Sequence, residues 1–173
     1  MTLVIGIDPA STTGVAVYST TTEEWLADQL DWRYAANWVD NTVHAVTLPD
    51  EPIVVGMELP FVGDNAHAAI KQGTIYGWMW GTLHHLLPTS DVTWYHLTPT
   101  QWRSLICIPN SKLVSKRRCV AIAEAVGIER RFGSRGGVQD DYAEAVGIAL
   151  AAGRRYHDKR YSGSKDRILV ERL

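Results

Sequence analysis

The chain has 173 residues, 46% of them apolar and 21% charged, a composition that excludes a disordered chain and fits one domain around one core. Its two cysteines, Cys107 and Cys119, lack the spacing of a zinc site or a disulfide framework, and no apolar run approaches the roughly 20 residues that span a bilayer. The net charge of −2 hides an asymmetry: residues 1–102 carry 2 Lys/Arg against 11 Asp/Glu (−9), and residues 103–173 carry 15 against 8 (+7), which suits an acidic site beside a basic surface.

The opening MTLVIGIDPA has no basic region before its apolar run, so we expect no secretion signal and a cytoplasmic, reducing location, without a membrane. Leu3 to Ile7 and Val15 to Tyr18 are β-branched runs around a turn-like Asp8 to Gly14, the pattern of a hairpin. Trp25 to Trp32 alternates as a third strand, and Trp32, Ala36, Val39, Val43 and Val46 recur at helical spacing until Pro49 and Pro52. Ile53 to Met57 reads as a buried strand running into Glu58.

Residues 65–87 favour a helix despite Gly73, Gly77 and Gly81, each of which costs about 1 kcal/mol relative to alanine. Close approach of another backbone, or of nucleic acid, would offset that cost. Val92 to Leu97 reads as a fifth strand, and Thr98-Pro99 opens a short helix carrying Trp102 and Arg103. Residues 109–118 read as a basic connector, Val120 to Val126 as a helix ending at Gly127, and 129–139 as a glycine-rich loop before a last helix from about Asp140 to Gly153. This order predicts an α/β fold with a mixed five-stranded sheet flanked by helices: a domain over residues 1–153, then a basic tail over 154–173.

Asp8 ends the first strand, Glu58 ends the fourth, and Asp141 and Glu144 stand three apart at the start of the last helix. After Ala145 that helix is apolar almost all round and must be buried, so carboxylates at its start need compensation. Crowded carboxylates raise one another's pKa unless cations neutralise them, and an oxygen-rich set suits Mg²⁺ or Mn²⁺. Two such ions hydrolyse phosphodiesters in many nucleases. Asp140 alone reads as an ordinary helix cap.

The segments GIDPASTTGVAV, VGMELPF and QDDYAEAVGIALAA resemble, in order and spacing, the three acidic motifs of the RuvC family of Holliday-junction resolvases, over roughly residues 3–153. The resemblance implies a ribonuclease-H-like fold, a homodimer acting on branched DNA, and Asp8, Glu58, Asp141 and Glu144 as ligands for two Mg²⁺ or Mn²⁺ ions. The family usually has Asp where this chain has Glu144. Phe61 matches the family's base-stacking aromatic residue, and Lys116 falls where the family places a basic residue beside the scissile phosphate. The helix after Phe61, with Trp78 and Trp80, corresponds to one that helps form the family's dimer interface.

Arg103, Lys112, Lys116, Arg117 and Arg118 form an acid-free stretch suited to phosphates, and Arg130, Arg131 and Arg135 could hold DNA from the glycine-rich loop. His84, His85 and His96 lack metal-binding spacing. Three other readings compete, of which a catalytically idle DNA-binding or structural module is opposed by the presence of all four acids. The Asp-to-Gly turn also occurs in sugar-kinase and chaperone ATPases, whose two lobes this chain can scarcely supply. A ribonuclease H, or another nuclease of the same fold, differs in substrate rather than in its acids.

Overall fold

The computed structural model describes residues 1–47, 51–60, 65–87, 91–132 and 137–161. Phe61, Arg135 and the tail beyond Tyr161 lie outside them. Five strands form one sheet in the order β3-β2-β1-β4-β5: β1 (Leu3–Asp8), β2 (Thr12–Ser19), β3 (Glu24–Asp31), β4 (Ile53–Glu58) and β5 (Val92–Leu97). Consecutive strands β1, β2 and β3 pair antiparallel through short turns. β4 and β5 follow helical crossovers and pair parallel, β4 beside β1 and β5 beside β4. This is the mixed sheet expected from the chain order.

Strand alternation sorts the side chains between two cores. Leu3, Ile5, Ile7, Val15, Val17, Ile53, Val55 and Met57 face α1 (Trp32–Val46) and α2 (Ala66–Leu86). The intervening positions Val4, Ala16 and Val54 face α3 (Pro99–Leu105), α4 (Lys112–Ala125) and α5 (Asp141–Tyr161). Asp8 and Glu58 share the parity of Val4 and Val54, so the last residue of β1 and of β4 presents its carboxylate on the α5 side.

α5 lies directly on the sheet because β1, β2 and β4 offer it glycines. A Cβ on Gly6 would stand 2.0 Å from the Ala145 carbonyl oxygen, and one on Gly14 would stand 2.0 Å from that of Asp141. At Gly56 the nearest atom, the Ala152 methyl, would be 2.8 Å away. The small residues of α5 answer those of the sheet, and Ala145, Ile148, Ala149 and Ala152 are fully buried.

Two expectations are revised. The basic run is not a connector: α4 starts at Lys112 after Ser111 and buries Ser115 and Cys119. The last helix starts at Asp141 and continues to Tyr161, so residues 154–161 extend it past Gly153. Asp140 precedes that helix, and its carbonyl accepts the Ala143 and Glu144 N–H groups at 3.0 Å. In α2, Cβ atoms on Gly73, Gly77 and Gly81 would meet nothing within 4 Å, so the described chain supplies no close neighbour to explain them. No described helix is long and apolar enough to cross a membrane.

Candidate active site

The antiparallel register sets Asp8 opposite Gly14, the glycine on which the Asp141 backbone rests. Residues 8 and 141, far apart in sequence, are thereby brought together. The Asp141 N–H is also held by the Gln29 side-chain carbonyl of β3 at 3.1 Å. One helical turn on, Glu144 is 6% exposed and turns toward the same point. Carboxylate oxygens of Asp8, Asp141 and Glu144 all lie within 4.8 Å of one another. Glu58, at the end of the neighbouring strand, lines the same cleft, which has a volume of about 1060 Å³. Its Oε2 accepts a hydrogen bond from the Trp102 indole N–H.

Cations crowd the acids. The Lys116 ammonium lies 2.6 Å from Asp140, 3.4 Å from Glu144 and 3.6 Å from Asp141, and an Arg103 Nη2 lies 3.3 Å from Glu144. Burial opposes the charge on Lys116, but the hydrogen bond to Asp140 and the charges of Glu144, Asp140 and Asp141 outweigh it and raise its pKa. Burial pushes the Asp8 carboxyl well above the ordinary carboxylate range, and the charges of Glu58, Glu144 and Asp141 push it further, against Lys116. Asp141 is raised too, by burial first, then by Asp140 and Glu144, with Lys116 opposing. Cys119, packed beneath Glu144, is pushed up to about 12 chiefly by burial, which leaves it a thiol rather than a nucleophilic thiolate.

Three converging carboxylates in a half-buried cleft, two of which, Asp8 and Asp141, are pushed toward their protonated forms by burial and then by neighbouring acids, fit a hard divalent cation. All the donors are oxygen, the set for magnesium or manganese rather than for a soft metal.

Solved structures similar to this chain include two that cover most of its length. Thermus thermophilus RuvC in complex with Holliday junction substrate superimposes with a TM-score of 0.59 at 16% identity, over 91% of this chain and 96% of that one. A second Thermus thermophilus RuvC structure gives a TM-score of 0.54 at 19% identity over the same shares. The chain has a RuvC-like fold. No protein-family model matches the sequence, and no match is found among curated proteins.

On this RuvC-like, ribonuclease-H-like scaffold the basic residues separate into two groups. Arg117 and Arg118 are exposed on α4 and form no ion pair among the described residues. Lys112 begins the same helix. The others are bound to the protein itself. Arg103 and Lys116 face the acids, Arg130 pairs with Glu124 at 2.9 Å, and Arg131 pairs with Asp28 and donates to the Ala27 carbonyl at 2.8 Å. Arg131 also covers the buried Tyr142 ring at 5.5 Å.

Sequence reasoning passed over Trp102 and Gln29 as partners of the acids. A large aromatic side chain beside an arginine in a helix too short to bury it alone was the available signal for Trp102. Nothing local marks Gln29, since its role arises from the pairing of β3 with β2. His84 and His96 fall into a ring cluster at the β5 edge, where His84 stacks on Trp94 at 5.7 Å and Tyr76 bonds His96.

Proposed function

We propose that this protein is a metal-dependent endonuclease that resolves four-way DNA junctions by paired, symmetric nicks, acting as a homodimer. The observation that carries this reading is the convergence of Asp8, Asp141 and Glu144 within 4.8 Å, beside Glu58 and Lys116, on a RuvC-like fold. That a RuvC neighbour is in complex with a Holliday junction supports branched DNA as the substrate. Two symmetry-related cuts need two centres related by a two-fold axis, which a homodimer provides.

Asp8, Glu58, Asp141 and Glu144 would hold two Mg²⁺ or Mn²⁺ ions. When bound, such ions supply the Lewis-acid charge that phosphodiester hydrolysis requires. The chain's own groups do the rest. Lys116 holds a full positive charge at the mouth of the acid cluster, where it would offset negative charge growing on the phosphate under attack. Arg117 and Arg118 would hold backbone phosphates of an arm, and Phe61, Lys112 and Arg135 are further candidates for DNA contact. Pro60, Pro99 and Ala69 are among the residues that line the cleft around the acids.

The deciding experiment incubates the protein and Mg²⁺ with a four-way junction, a matched linear duplex and an RNA–DNA hybrid. Paired nicks on the junction, with far slower cleavage of the duplex, are the expected result. Equal cleavage of the hybrid would assign a ribonuclease H activity instead, and no cleavage of any substrate would refute the nuclease reading.

A further inference from the structure

Two neighbouring residues of α3 each grip a different acid. The Trp102 indole N–H donates to Glu58 Oε2, and the Arg103 guanidinium donates to Glu144 Oε1 at 3.3 Å. Glu58 belongs to the sheet and Glu144 to α5, so α3 spans the two structural layers that meet at the cleft. We propose that the Trp102-Arg103 pair is a clamp that fixes the orientation and separation of the Glu58 and Glu144 carboxylates, and that both are positioning residues for the centre. The inference rests on the reading of the cleft as a nuclease centre, and it adds two residues outside the acidic set.

The clamp is itself immobilised. α3 starts with a reciprocal cap in which the Thr98 hydroxyl accepts the Gln101 N–H and the Gln101 side chain accepts the Thr98 N–H, with Pro99 next. The Leu59 N–H donates to the Leu97 carbonyl at 2.8 Å, which ties the residue after Glu58 to the strand that leads into α3. The Trp102 side chain is fully buried, and its ring lies so close to α5 that a Cβ on Gly147 would be 3.0 Å from it. The Arg103 guanidinium sits 5.0 Å from the same ring, so the two arms of the clamp are packed on each other.

A buried indole this tightly held has one rotamer and one hydrogen-bond donor. Such a donor engages one oxygen of Glu58 and thereby sets the direction in which the other points. Arg103 does the same for Glu144, whose second oxygen is near Lys116. Partners behind a ligand set its direction, and their removal commonly costs 10- to 100-fold in metal affinity or activity.

The test uses Trp102→Phe, which keeps an aromatic ring and removes the N–H. Titration calorimetry with Mn²⁺ alone should show a dissociation constant weakened by roughly 10-fold or more. Junction cleavage should lose kcat by a similar factor with KM unchanged, a split that a general loss of packing would not produce. A Trp102→Phe protein with wild-type Mn²⁺ affinity and wild-type kcat would overturn the clamp. If that variant fails to fold, NMR of protein that retains Trp102 still decides the matter. The Trp102 indole N–H resonance should be protected from exchange, shift on adding Mg²⁺, and shift again in Glu58→Gln; an indole resonance indifferent to both changes would refute the proposal. Failure of the nuclease reading is a separate outcome, in which the wild type cleaves no DNA while the indole and Mn²⁺ responses persist.

Discussion

Asp8 carries the clearest consequence at the scale of single residues. Its carboxyl titrates well above the ordinary range because burial and three neighbouring acids favour the neutral form. Between the ordinary value and the raised one, the folded chain keeps a proton that the unfolded chain has lost, so stability falls as pH climbs through that interval. Asp8→Asn removes this penalty. It should abolish Mg²⁺-dependent cleavage yet melt a few degrees above the wild type in EDTA at pH 7, with the advantage shrinking toward pH 4, as scanning calorimetry would show. Lys116 works in the opposite direction, since its ammonium relieves the repulsion between Asp141 and Glu144. Lys116→Met should therefore melt below the wild type in EDTA, and it should lower the junction cleavage rate more than junction affinity. Equal losses in rate and affinity would place Lys116 among groups that only bind DNA.

Between elements, the contact that matters most is α5 on the sheet. A methyl at Gly14 would meet the Asp141 carbonyl at 2.0 Å, a backbone atom that cannot swing aside, so Gly14→Ala must displace the start of α5. We expect a loss of about 1–3 kcal/mol or more in urea unfolding, together with weakened Mn²⁺ binding, because Asp141 moves with its backbone. Gly77→Ala offers the contrast. A methyl there meets nothing within 4 Å among the described residues, and alanine gains up to about 1 kcal/mol in a helix interior. If α2 faces the second protomer of the proposed homodimer, Gly77→Ala should weaken self-association in analytical ultracentrifugation. Unchanged association would leave α2 facing solvent. The strands were legible in the sequence because alternation and chain order are local properties, and the convergence of Asp8, Asp141 and Glu144 was legible because Asp8 ends a strand and the other two stand in the first turn of a helix. The start of α4 was not, since residues 109–118 read as a basic connector suited to phosphates, while the helix is decided by Ser115, Cys119 and Ala123 packing in the core. The fates of Arg103 and Arg131 were equally hidden, because the acids they bind come from distant elements.

Over the whole molecule, the acids that floor the cleft come from both halves of the chain, and α4, which reaches the cleft through Lys116, carries the exposed Arg117 and Arg118. Arg117→Ala with Arg118→Ala should flatten the slope of log affinity against log salt for a junction by about 0.9 for each duplex phosphate no longer neutralised, while the melting temperature stays near wild type. An unchanged slope would place the DNA on other surfaces. The close seat of α5 on Gly6 and Gly14 has one more consequence, which concerns time rather than space. During synthesis Asp8 and Glu58 leave the ribosome long before Asp141 and Glu144, and until α5 arrives the β1 and β2 faces that it covers stay open. A growing chain therefore holds half of the acidic cluster, and the proposed cutting activity would arrive only when the last helix closes the fold.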